Sequence, residues 1–525
     1  MDEAYTGIYD LKAILSRRGQ ASFRKQLHDL TMRIHRAQYV GTVEELTLRK
    51  VIFEETIDNR PIQFEVVYRY LSPEIIDKLL SEHTIIDLSG CYVDTLAISK
   101  GITSITADML FVFGKAEFQN LTIERRFSFS GAFFREDTYF ANIKLVKDGC
   151  FKWSHFNHSV HFHNIECPNT LNLTEAYIAD GDMKRCHVSG MALFAGSRFS
   201  SSFYFRYNKI DGKTDFSKAS FSGKATFKNS NLGKQCSFSE SHFSEDVDYS
   251  SISPITELQF NDAWFESSVF FKDIVFKGGV FFNNASAELL QFSHCYFKED
   301  SSLTFFSVNH LYFENCSFYC NLILSINRES SPTALLFYKV SNYGGIYIDW
   351  KKDRAHESIK RGIKEFFLQN KQEVPCGDIE LAELTMLERN FRLLSQSANE
   401  DLALVARKRA EAHNTIFPKK YIQKVIDWSS EYGTNPEKCL ICSILAIALF
   451  GIIYFLLEKC SVSAFSQELN FWDCLCYSAS AFITSSYGNI SALSPLSSFI
   501  TILEGFLGVF TAAYFTTIVA RKILR

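Results

Sequence analysis

The chain has 525 residues and a formal net charge of −4, from 55 basic and 59 acidic side chains. It is long enough for three or more domains, and its near-neutral balance gives no electrostatic support to a nucleic-acid partner. Phe is in excess, at 50 residues against 9 Pro, which indicates a repeated apolar position. The 14 Cys follow no disulfide framework and no secretory signal is predicted, so free, buried cysteines in a reducing compartment are expected.

Residues 1–83 are predicted to form an α/β cap, because the open end of a repeat array must be covered to stay soluble. The stretch from Leu11 to Leu30 has helical spacing and a basic face. A strand is predicted further on from the alternating residues Phe64, Val66, Tyr68 and Tyr70.

Large apolar residues then recur in alternating steps of five and six, most clearly from Phe113 to Phe297. Neither a helix nor a flat strand gives this period, whereas a coil with a corner every five or six residues does, with one large side chain pointing inward on each side. The pattern resembles the pentapeptide-repeat family, a right-handed quadrilateral β-helix, in a five-plus-six variant. We therefore expect a β-helix over residues 84–330, with roughly eight coils between residues 113 and 297. The steps become plain fives from Ile178 to Val188, and the sequence leaves open whether the coil stays intact there.

Four histidines inside the repeat fall beside the inward positions Phe156 and Phe162, and they are predicted to lie on the surface or at corners: His155, His158, His161 and His163. No metal site is predicted, because neutral histidines on a polar face are the commoner case. The sequence contains no nucleophile elbow, phosphate loop, zinc spacing or paired-carboxylate motif, so no enzymatic activity and no cofactor are predicted.

Residues 350–417 are charged and helical. Apolar stripes in Ile379 to Gln396 and in Leu402 to Ala410 predict a helical hairpin, which would pack on the end of the β-helix or on a neighbouring subunit. Residues 418–436 follow. Lys419 to Trp428 has the apolar and basic faces of a helix lying on a membrane surface, and the breaker from Tyr432 to Pro436 turns the chain into the bilayer.

Residues 437–525 contain two apolar runs, Leu440 to Leu457 and Ser498 to Val519. As helices they would span about 27 and 33 Å, which matches the hydrocarbon core of a bilayer. The segment between them, Phe471 to Asn489, is too short and too polar to cross, so it is predicted to re-enter the membrane; a two-helix anchor with an ordinary outer loop is the alternative. Basic residues at both ends predict a multi-pass protein of the inner membrane with both termini in the cytoplasm.

The re-entrant segment opens with Trp472-Asp473, contains Ser478 and ends Thr484-Ser485-Ser486-Tyr487-Gly488-Asn489. It resembles the pore helix and selectivity filter of the two-transmembrane potassium channels, whose filter reads Thr-Val-Gly-Tyr-Gly-Asp. The resemblance implies a homotetramer in which residues 484–489 line a filter for a monovalent cation, potassium. Ser486 replaces the first filter Gly of the family and Asn489 its Asp. Because a non-Gly residue at positive φ costs about 1–2 kcal/mol, the ion selectivity stays open.

Glu504 and Gly508, in the second apolar run, stand where many bacterial relatives carry a Glu and a hinge Gly. The resemblance implies a gating or pore-lining role for both. For Glu504 we expect hydrogen bonds behind the filter or pore helix, with a purely structural contact as the alternative. For Gly508 the alternative to a hinge is close helix packing.

Both halves together resemble the bacterial family that fuses a pentapeptide-repeat domain to a two-helix potassium-channel pore. We expect a tetrameric cation channel in the lipid bilayer, with a cytoplasmic β-helix that acts as a sensor or docks a protein partner. A non-conducting, membrane-anchored scaffold is the alternative, and Ser486 favours it. A pentapeptide-repeat DNA mimic acting on a topoisomerase is a third reading, disfavoured by the near-neutral charge and the membrane segment.

Overall fold

The computed structural model describes residues 8–17, 21–99, 101–253, 257–326, 333–369, 376–413, 415, 418–460, 465–485 and 490–524. Its contacts divide the chain into two compact units, Met1–Glu373 and Val374–Arg525. The first unit contains the strands, and the second is helical.

The first unit begins with a mixed segment made of β1 (Ile8–Asp10), α1 (Leu11–Leu15), α2 (Ala21–Arg36), β2 (Gln38–Glu44), β3 (Leu48–Ile57), β4 (Arg60–Tyr70) and α3 (Pro73–Glu82). Strands β2, β3 and β4 form an antiparallel sheet, and β1 pairs in parallel with β4. The alternating residues Phe64, Val66 and Tyr68 are buried and pack in one cluster with α2. The last two residues of β4 pair in parallel with Cys91 and Tyr92, so this segment continues directly into the repeat.

Short strands follow from residue 85 to residue 347. The earlier ones are β5 (Ile85–Asp87), β6 (Cys91–Val93), β7 (Leu96–Ser99), β8 (Ser104–Thr106), β9 (Phe111–Val112), β10 (Ala116–Ile123), β11 (Phe127–Ser128), β12 (Phe133–Phe134), β13 (Thr138–Leu145), β14 (Gly149–Cys150), β15 (His155–Cys167), β16 (Leu171–Asn172), β17 (Tyr177–Lys184), β18 (His187–Val188), β19 (Ala192–Leu193), β20 (Arg198–Phe199), β21 (Phe203–Arg206) and β22 (Lys209–Ile210). The later ones are β23 (Lys213–Asp215), β24 (Ser220–Phe221), β25 (Ala225–Thr226), β26 (Asn231–Leu232), β27 (Gln235–Ser237), β28 (His242–Phe243), β29 (Val247–Asp248), β30 (Glu257–Gln259), β31 (Trp264–Lys272), β32 (Val275–Phe276), β33 (Val280–Phe281), β34 (Ala285–Ser293), β35 (Tyr296–Phe297), β36 (Ser301–Glu314), β37 (Ser317–Phe318), β38 (Leu322–Ile326), β39 (Ala334–Tyr338), β40 (Ser341–Asn342) and β41 (Ile346–Tyr347).

These strands pair in parallel with the strands one coil before and one coil after them. Phe118 pairs with Phe140, for example, and Phe140 pairs with Phe162. Repetition of this pairing stacks the strands into the sides of a solenoid of about 12 turns. The β-helix expected from the sequence is therefore confirmed.

Phe side chains fill the interior of the β-helix in columns. The rings of Phe118, Phe140 and Phe162 stack 4.7 and 5.1 Å apart and lie nearly parallel, at 6° and 5°. The same column runs on in later coils through Phe205, Phe227, Tyr249, Phe271, Phe292, Phe313 and Phe337. These columns explain the five-plus-six period of the sequence, because each large apolar residue that recurs in it points inward from one side of a coil.

The coils turn at corners with left-handed backbone. Asn120, Asn142 and Asn164 occupy one such corner in three successive coils, at φ of 55°, 56° and 54°. Asn adopts this conformation at lower cost than most residues. The side-chain amides also form a ladder, in which Asn142 Nδ2 donates to Asn120 Oδ1 at 3.1 Å and Asn164 Nδ2 donates to Asn142 Oδ1 at 2.9 Å. These evenly spaced Asn residues are a sequence signal that apolar periodicity alone does not use.

The coil stays intact from Ile178 to Val188, where the apolar steps are plain fives. Strands β15 and β17 remain paired in parallel on both sides of a register shift between Phe156 and Ser159. This shift absorbs the missing residue. Met183 takes the place of the inward Phe of the neighbouring coils and pairs with Phe205.

The β-helix continues beyond residue 330, so the predicted end is too early. Strands β39, β40 and β41 pair in parallel with β36, β37 and β38. The aromatic period fades there because Leu322 and Ile346 fill inward positions in place of Phe. Helix α4 (Ala355–Gln369) then packs on β39, and a Cβ on Gly362 would lie 2.0 Å from the carbonyl oxygen of Leu335.

His155 is buried, not at the surface as predicted. Its side chain is only 4% exposed, and its ring lies 4.5 Å from Phe133 and 4.3 Å from Tyr177 in a stack. His35 of α2 lies 5.2 Å away. The prediction was wrong because apolar periodicity places a residue on the outer face of a coil but does not show which element covers that face.

The second unit consists of α5 (Cys376–Leu393), α6 (Ser397–His413), α7 (Lys419–Ser430), α8 (Pro436–Cys460), α9 (Phe471–Phe482) and α10 (Pro495–Ile523). Helices α5 and α6 form a hairpin. Arg407 Nε contacts Glu388 Oε2 at 2.5 Å, and Arg392 Nε contacts Glu400 Oε1 at 2.9 Å. Each ion pair has one partner on α5 and one on α6, so the two pairs hold the helices together.

Candidate functional site

Helices α8 and α10 are long and apolar enough to cross a membrane. They have 25 and 29 residues, and only 11% and 17% of their most apolar stretches is buried by the rest of the chain. A core helix of a soluble protein would be mostly buried, so this exposed apolar surface points to lipid or to further subunits as its cover. The exposed side chains include Leu440, Ile444, Leu449, Phe499, Ile502 and Phe506.

Helix α9 is the short helix between them and begins where the pore helix was predicted. A capping box fixes its N-terminus, because the Asn470 side chain accepts from the backbone of Asp473 and the Asp473 carboxylate accepts from the Asn470 N–H at 3.2 Å. Trp472 points outward and is 71% exposed. The sequence folds this way because Asn and Asp stand three residues apart, directly before an apolar run.

A buried hydrogen-bond network joins α9 to both long helices. Ser478 Oγ lies 2.5 Å from Glu504 Oε1 and 2.8 Å from the carbonyl oxygen of Ile447. Tyr454 Oη donates to Glu504 Oε2 at 2.5 Å. Ser478, Tyr454 and Glu504 are all fully buried. A carboxyl group in such surroundings is costly unless it is hydrogen-bonded, so the network ties the position of α9 to α8 and α10.

Sequence reasoning placed Ser478 and Glu504 in the site but missed Tyr454. The signal was available, because Tyr454 is a polar group inside the apolar run of α8. A buried tyrosine hydroxyl needs a partner, and a carboxyl group in the next membrane helix can supply one.

Gly508 lies where α10 passes closest to α9. A Cβ at this position would be 1.8 Å from the carbonyl oxygen of Phe482, whereas a Cβ at Gly505 would be 3.4 Å from that of Ala481. Only a residue without a side chain permits this approach. The structure thus places Glu504 and Gly508 on the buried face of α10, against α9, and not on its exposed face.

The segment after α9 begins the predicted filter. Thr484 has a φ of 56°, which is unusual for a β-branched residue, and both Thr484 and Ser485 are exposed. Ser486, Tyr487, Gly488 and Asn489 lie outside the described residues.

The chain on the far side of this segment is tied back to the residues that precede α9. Ser466 N donates to the carbonyl oxygen of Ser491 at 3.0 Å, and Ser491 N donates to Ser466 Oγ at 3.0 Å. Phe465 and Ala492 form a bridge beside them. Ser491 and Ala492 are therefore held against the residues that precede α9.

Helix α7 is linked to the helical hairpin and to the start of α8. Arg409 of α6 makes three contacts of 2.8 to 3.1 Å with the Asp427 carboxylate of α7. Glu431, Tyr432 and Gly433 then have φ of 47°, 56° and 80°, which turns the chain sharply into α8. The Lys438 ammonium, hydrogen-bonded to Glu431, holds the pKa of that carboxyl below its ordinary value.

The last turns of α10 contact the same linking helices. Tyr514 Oη lies 2.9 Å from Ser430 Oγ at the end of α7. Arg521 donates to Asp401 Oδ1 of α6 at 3.0 Å. Helices α6, α7 and α10 thus form one connected set, which could transmit a displacement of the hairpin to the end of α10.

Comparison with known proteins agrees with this geometry. Residues 442–525 match the family model described as an ion channel. Residues 209–248 match the model of pentapeptide repeats (9 copies). No curated protein and no solved structure matches the chain. The channel match contains α9, Glu504 and Gly508, and it points to a transport protein rather than an enzyme.

Proposed function

We propose that the protein is a tetrameric cation channel selective for potassium. The proposal starts from the union of a pentapeptide-repeat β-helix and an ion-channel domain with two membrane-spanning helices. The pore would lie in the cytoplasmic membrane, with both termini and the β-helix in the cytoplasm. Residues 484–489 would form the filter, four copies of which face one another around the ion path.

The observation that carries the proposal is the buried network of Ser478, Tyr454 and Glu504. It holds a short helix between two membrane-spanning helices, and the bridge of Phe465 to Ala492 joins the residues before this helix to the start of the chain that leads into α10. Non-helical backbone at membrane depth is tolerated only where protein covers it or where it lines a water-filled path. A simple two-helix anchor has no need of such an arrangement.

Tyr487 and Gly488 support potassium as the ion, through the resemblance of this segment to the potassium-channel filter. Ser486 in place of Gly makes the filter costlier to form, by about 1–2 kcal/mol at positive φ. We expect Ser486→Gly to sharpen the preference for potassium over sodium and to leave conduction in place.

The orientation and the tetramer rest on charge and on exposed surface. Four basic residues lie near the ends of the membrane unit, which consists of helices α8, α9 and α10: Lys419, Lys420, Arg521 and Lys522. Their charge favours a cytoplasmic position for both ends. The apolar faces of α8 and α10 exceed what one chain covers. Three further copies and the lipid would cover them.

A cleft on the β-helix supports a cytoplasmic protein partner. It has a volume of about 680 Å³ and lies beside Trp264 and Phe306, which are 59% and 63% exposed. Ser286 and Ser307 also line the cleft, and Glu288 adds negative charge. Exposed aromatic rings beside a carboxylate suit a lysine- or arginine-bearing peptide. We expect Trp264→Ala to abolish binding of such a peptide. Tyr343→Ala, which removes another exposed aromatic ring of the β-helix, should leave binding unchanged.

The function is tested by reconstituting the full chain in liposomes and measuring potassium and sodium flux. Wild-type protein should pass potassium in preference to sodium. Tyr487→Ala should abolish the preference or the flux, whereas Tyr343→Ala, an exposed tyrosine of the β-helix, should change neither.

The other outcomes separate the alternatives. Unselective flux that Tyr487→Ala abolishes would show a relaxed cation pore. Absence of flux from protein that is shown to be tetrameric and correctly inserted would favour the membrane-anchored scaffold.

A further inference from the structure

His161, His163 and Asp182 bring three metal-binding groups together on the outer surface of the β-helix. The histidines stand two residues apart on β15, so their side chains share one face of the strand. Asp182 lies on the neighbouring strand β17, directly opposite His161 in register. One ligand atom from each residue lies within 4.8 Å of those from the other two.

The distance between two of the three ligand atoms is close to the spacing of ligand atoms around a bound ion. His163 Nε2 lies 3.1 Å from Asp182 Oδ2. Bonds of about 2.0–2.1 Å place two ligand atoms of a tetrahedral zinc ion about 3.4 Å apart. The His161 ring stacks on Tyr139 at 4.6 Å, and its ligand atom lies within 4.8 Å of those of His163 and Asp182.

Neighbouring groups hold the ligands in place. The guanidinium of Arg206 donates to Asp182 Oδ1 at 3.1 Å, which leaves Oδ2 directed at His163. Hydrogen bonds of this kind orient metal-binding carboxylates in known sites.

The surrounding charge is mixed. Asp137 and Asp180 also act on His161 and favour a cation. Arg206 and Lys184, which lies opposite His163 in register, oppose it. Two imidazoles and one carboxylate favour zinc, nickel or cobalt, because calcium and magnesium prefer all-oxygen sites.

We propose that His161, His163 and Asp182 bind one divalent transition-metal ion of the zinc class on the outer surface of the β-helix, with water completing the coordination. Three protein ligands and an open position are the usual arrangement of a zinc ion that exchanges with solvent. The site lies in the repeat and does not depend on ion conduction, so it can be tested whether or not the channel is active.

The test is a titration of the metal-free, full-length protein with Co²⁺, read by visible absorption, and with Ni²⁺, read by calorimetry. The expected result is one site per chain with nitrogen and oxygen ligands. His163→Ala and Asp182→Ala should weaken binding by about tenfold or more. His187→Ala is the matched control. His187 also lies on the β-helix and contacts a carboxylate, that of Asp211, at 2.7 Å, but this pair contains one imidazole and not two.

Lys184→Gln supplies a change of opposite sign. Removal of its positive charge should tighten binding, whereas an ion bound at cysteines elsewhere would respond to none of these variants and would show sulfur-to-cobalt absorption. Equal affinity in wild type and His163→Ala would overturn the proposal. So would the absence of binding at micromolar metal, with folding of each variant checked by circular dichroism.

Discussion

The β-helix and the membrane unit are stabilised in opposite ways. The β-helix repeats the same coil about 12 times, with stacked Phe rings in its interior and corners whose backbone is left-handed. The membrane unit depends on contacts that occur once, such as Ser478 with Glu504 and Gly508 against Phe482. A repeat distributes its free energy over equivalent positions, whereas a unique contact has no equivalent that can replace it.

This difference separates stability from function. In the β-helix, removal of one interior aromatic ring lowers the free energy of unfolding through lost packing. In the membrane unit one lost contact displaces the helix that carries the predicted filter. We therefore expect substitutions in the β-helix to show mainly in unfolding and substitutions in the membrane unit mainly in ion flux.

The largest expected effect is that of Phe140→Ala in the interior of the β-helix. Phe140 is fully buried, stacks on Phe118 and Phe162 and meets further Phe rings edge-on, so truncation leaves a cavity and removes all of these ring contacts. The free energy of unfolding should fall by about 3–5 kcal/mol. Urea unfolding followed by circular dichroism measures this. Potassium flux from folded protein should stay near wild type, and loss of flux without loss of stability would break the distinction between the units.

Acid should weaken the N-terminal end of the β-helix. Burial lowers the pKa of His35 to about 4, against the backbone contact to Trp153 and the charge of Glu175, while Arg198 adds to the lowering. A histidine with a lower pKa when folded takes up a proton more readily when unfolded. Stability is therefore full above about pH 6.5 and falls as the pH drops toward 4, by about 3 kcal/mol in total.

Thermal unfolding between pH 7 and pH 4 checks this. His35→Leu should show a smaller acid loss than wild type, and His242→Leu, an exposed histidine paired with Glu266, should behave as wild type. An equal acid loss in wild type and His35→Leu would show that His35 is not the group responsible.

Gly508→Ala and Gly505→Ala form a matched pair in α10. A methyl group at residue 508 would meet the Phe482 carbonyl oxygen at 1.8 Å, whereas one at residue 505 would sit at an ordinary 3.4 Å from that of Ala481. We expect Gly508→Ala to destabilise the membrane unit by about 1–3 kcal/mol and to abolish flux. Gly505→Ala should do neither. Thermal stability in detergent and liposome flux measure both, and equal behaviour of the two variants would contradict close packing at residue 508.

The smallest effect on stability is expected at Asp401 and Arg521. Their contact of 3.0 Å is partly exposed, so Asp401→Ala should change the unfolding free energy by no more than about 1 kcal/mol. It joins α6 to the end of α10, however, so the open probability should change. Single-channel recording of Asp401→Ala, Arg521→Ala and the double variant measures the coupling. Additive effects of the two substitutions on opening would show that this contact does not couple hairpin and pore.

Sequence alone predicted the β-helix well because its signal is repeated many times. Each Phe of the five-plus-six period marks an inward position, and the irregular coil near Met183 does not hide this period. The same signal failed where Leu and Ile replace Phe after residue 320, and it could not show that α2 covers His155. Contacts between elements far apart in sequence leave no periodic trace.

The candidate site was predicted by resemblance and by residue type. Asp473 and Ser478 were found through the resemblance to the pore helix of the channel family, and Glu504 both through that resemblance and as an ionisable residue inside an apolar helix. The partnership of Tyr454 with Glu504 was not found, since it depends on how three helices pack. For Gly508 the sequence left hinge and packing open, and the approach to Phe482 shows the packing.

Co-reconstitution of wild type with Tyr487→Ala tests most directly whether four chains share one ion path. Both forms, distinguished by tags, are mixed in equal amounts before assembly, co-assembly is verified by affinity capture, and potassium flux is measured. If one defective filter blocks a tetrameric pore, flux should fall to about one sixteenth of the wild-type value. A fall to about one half, the result for chains that conduct independently, would contradict a shared pore.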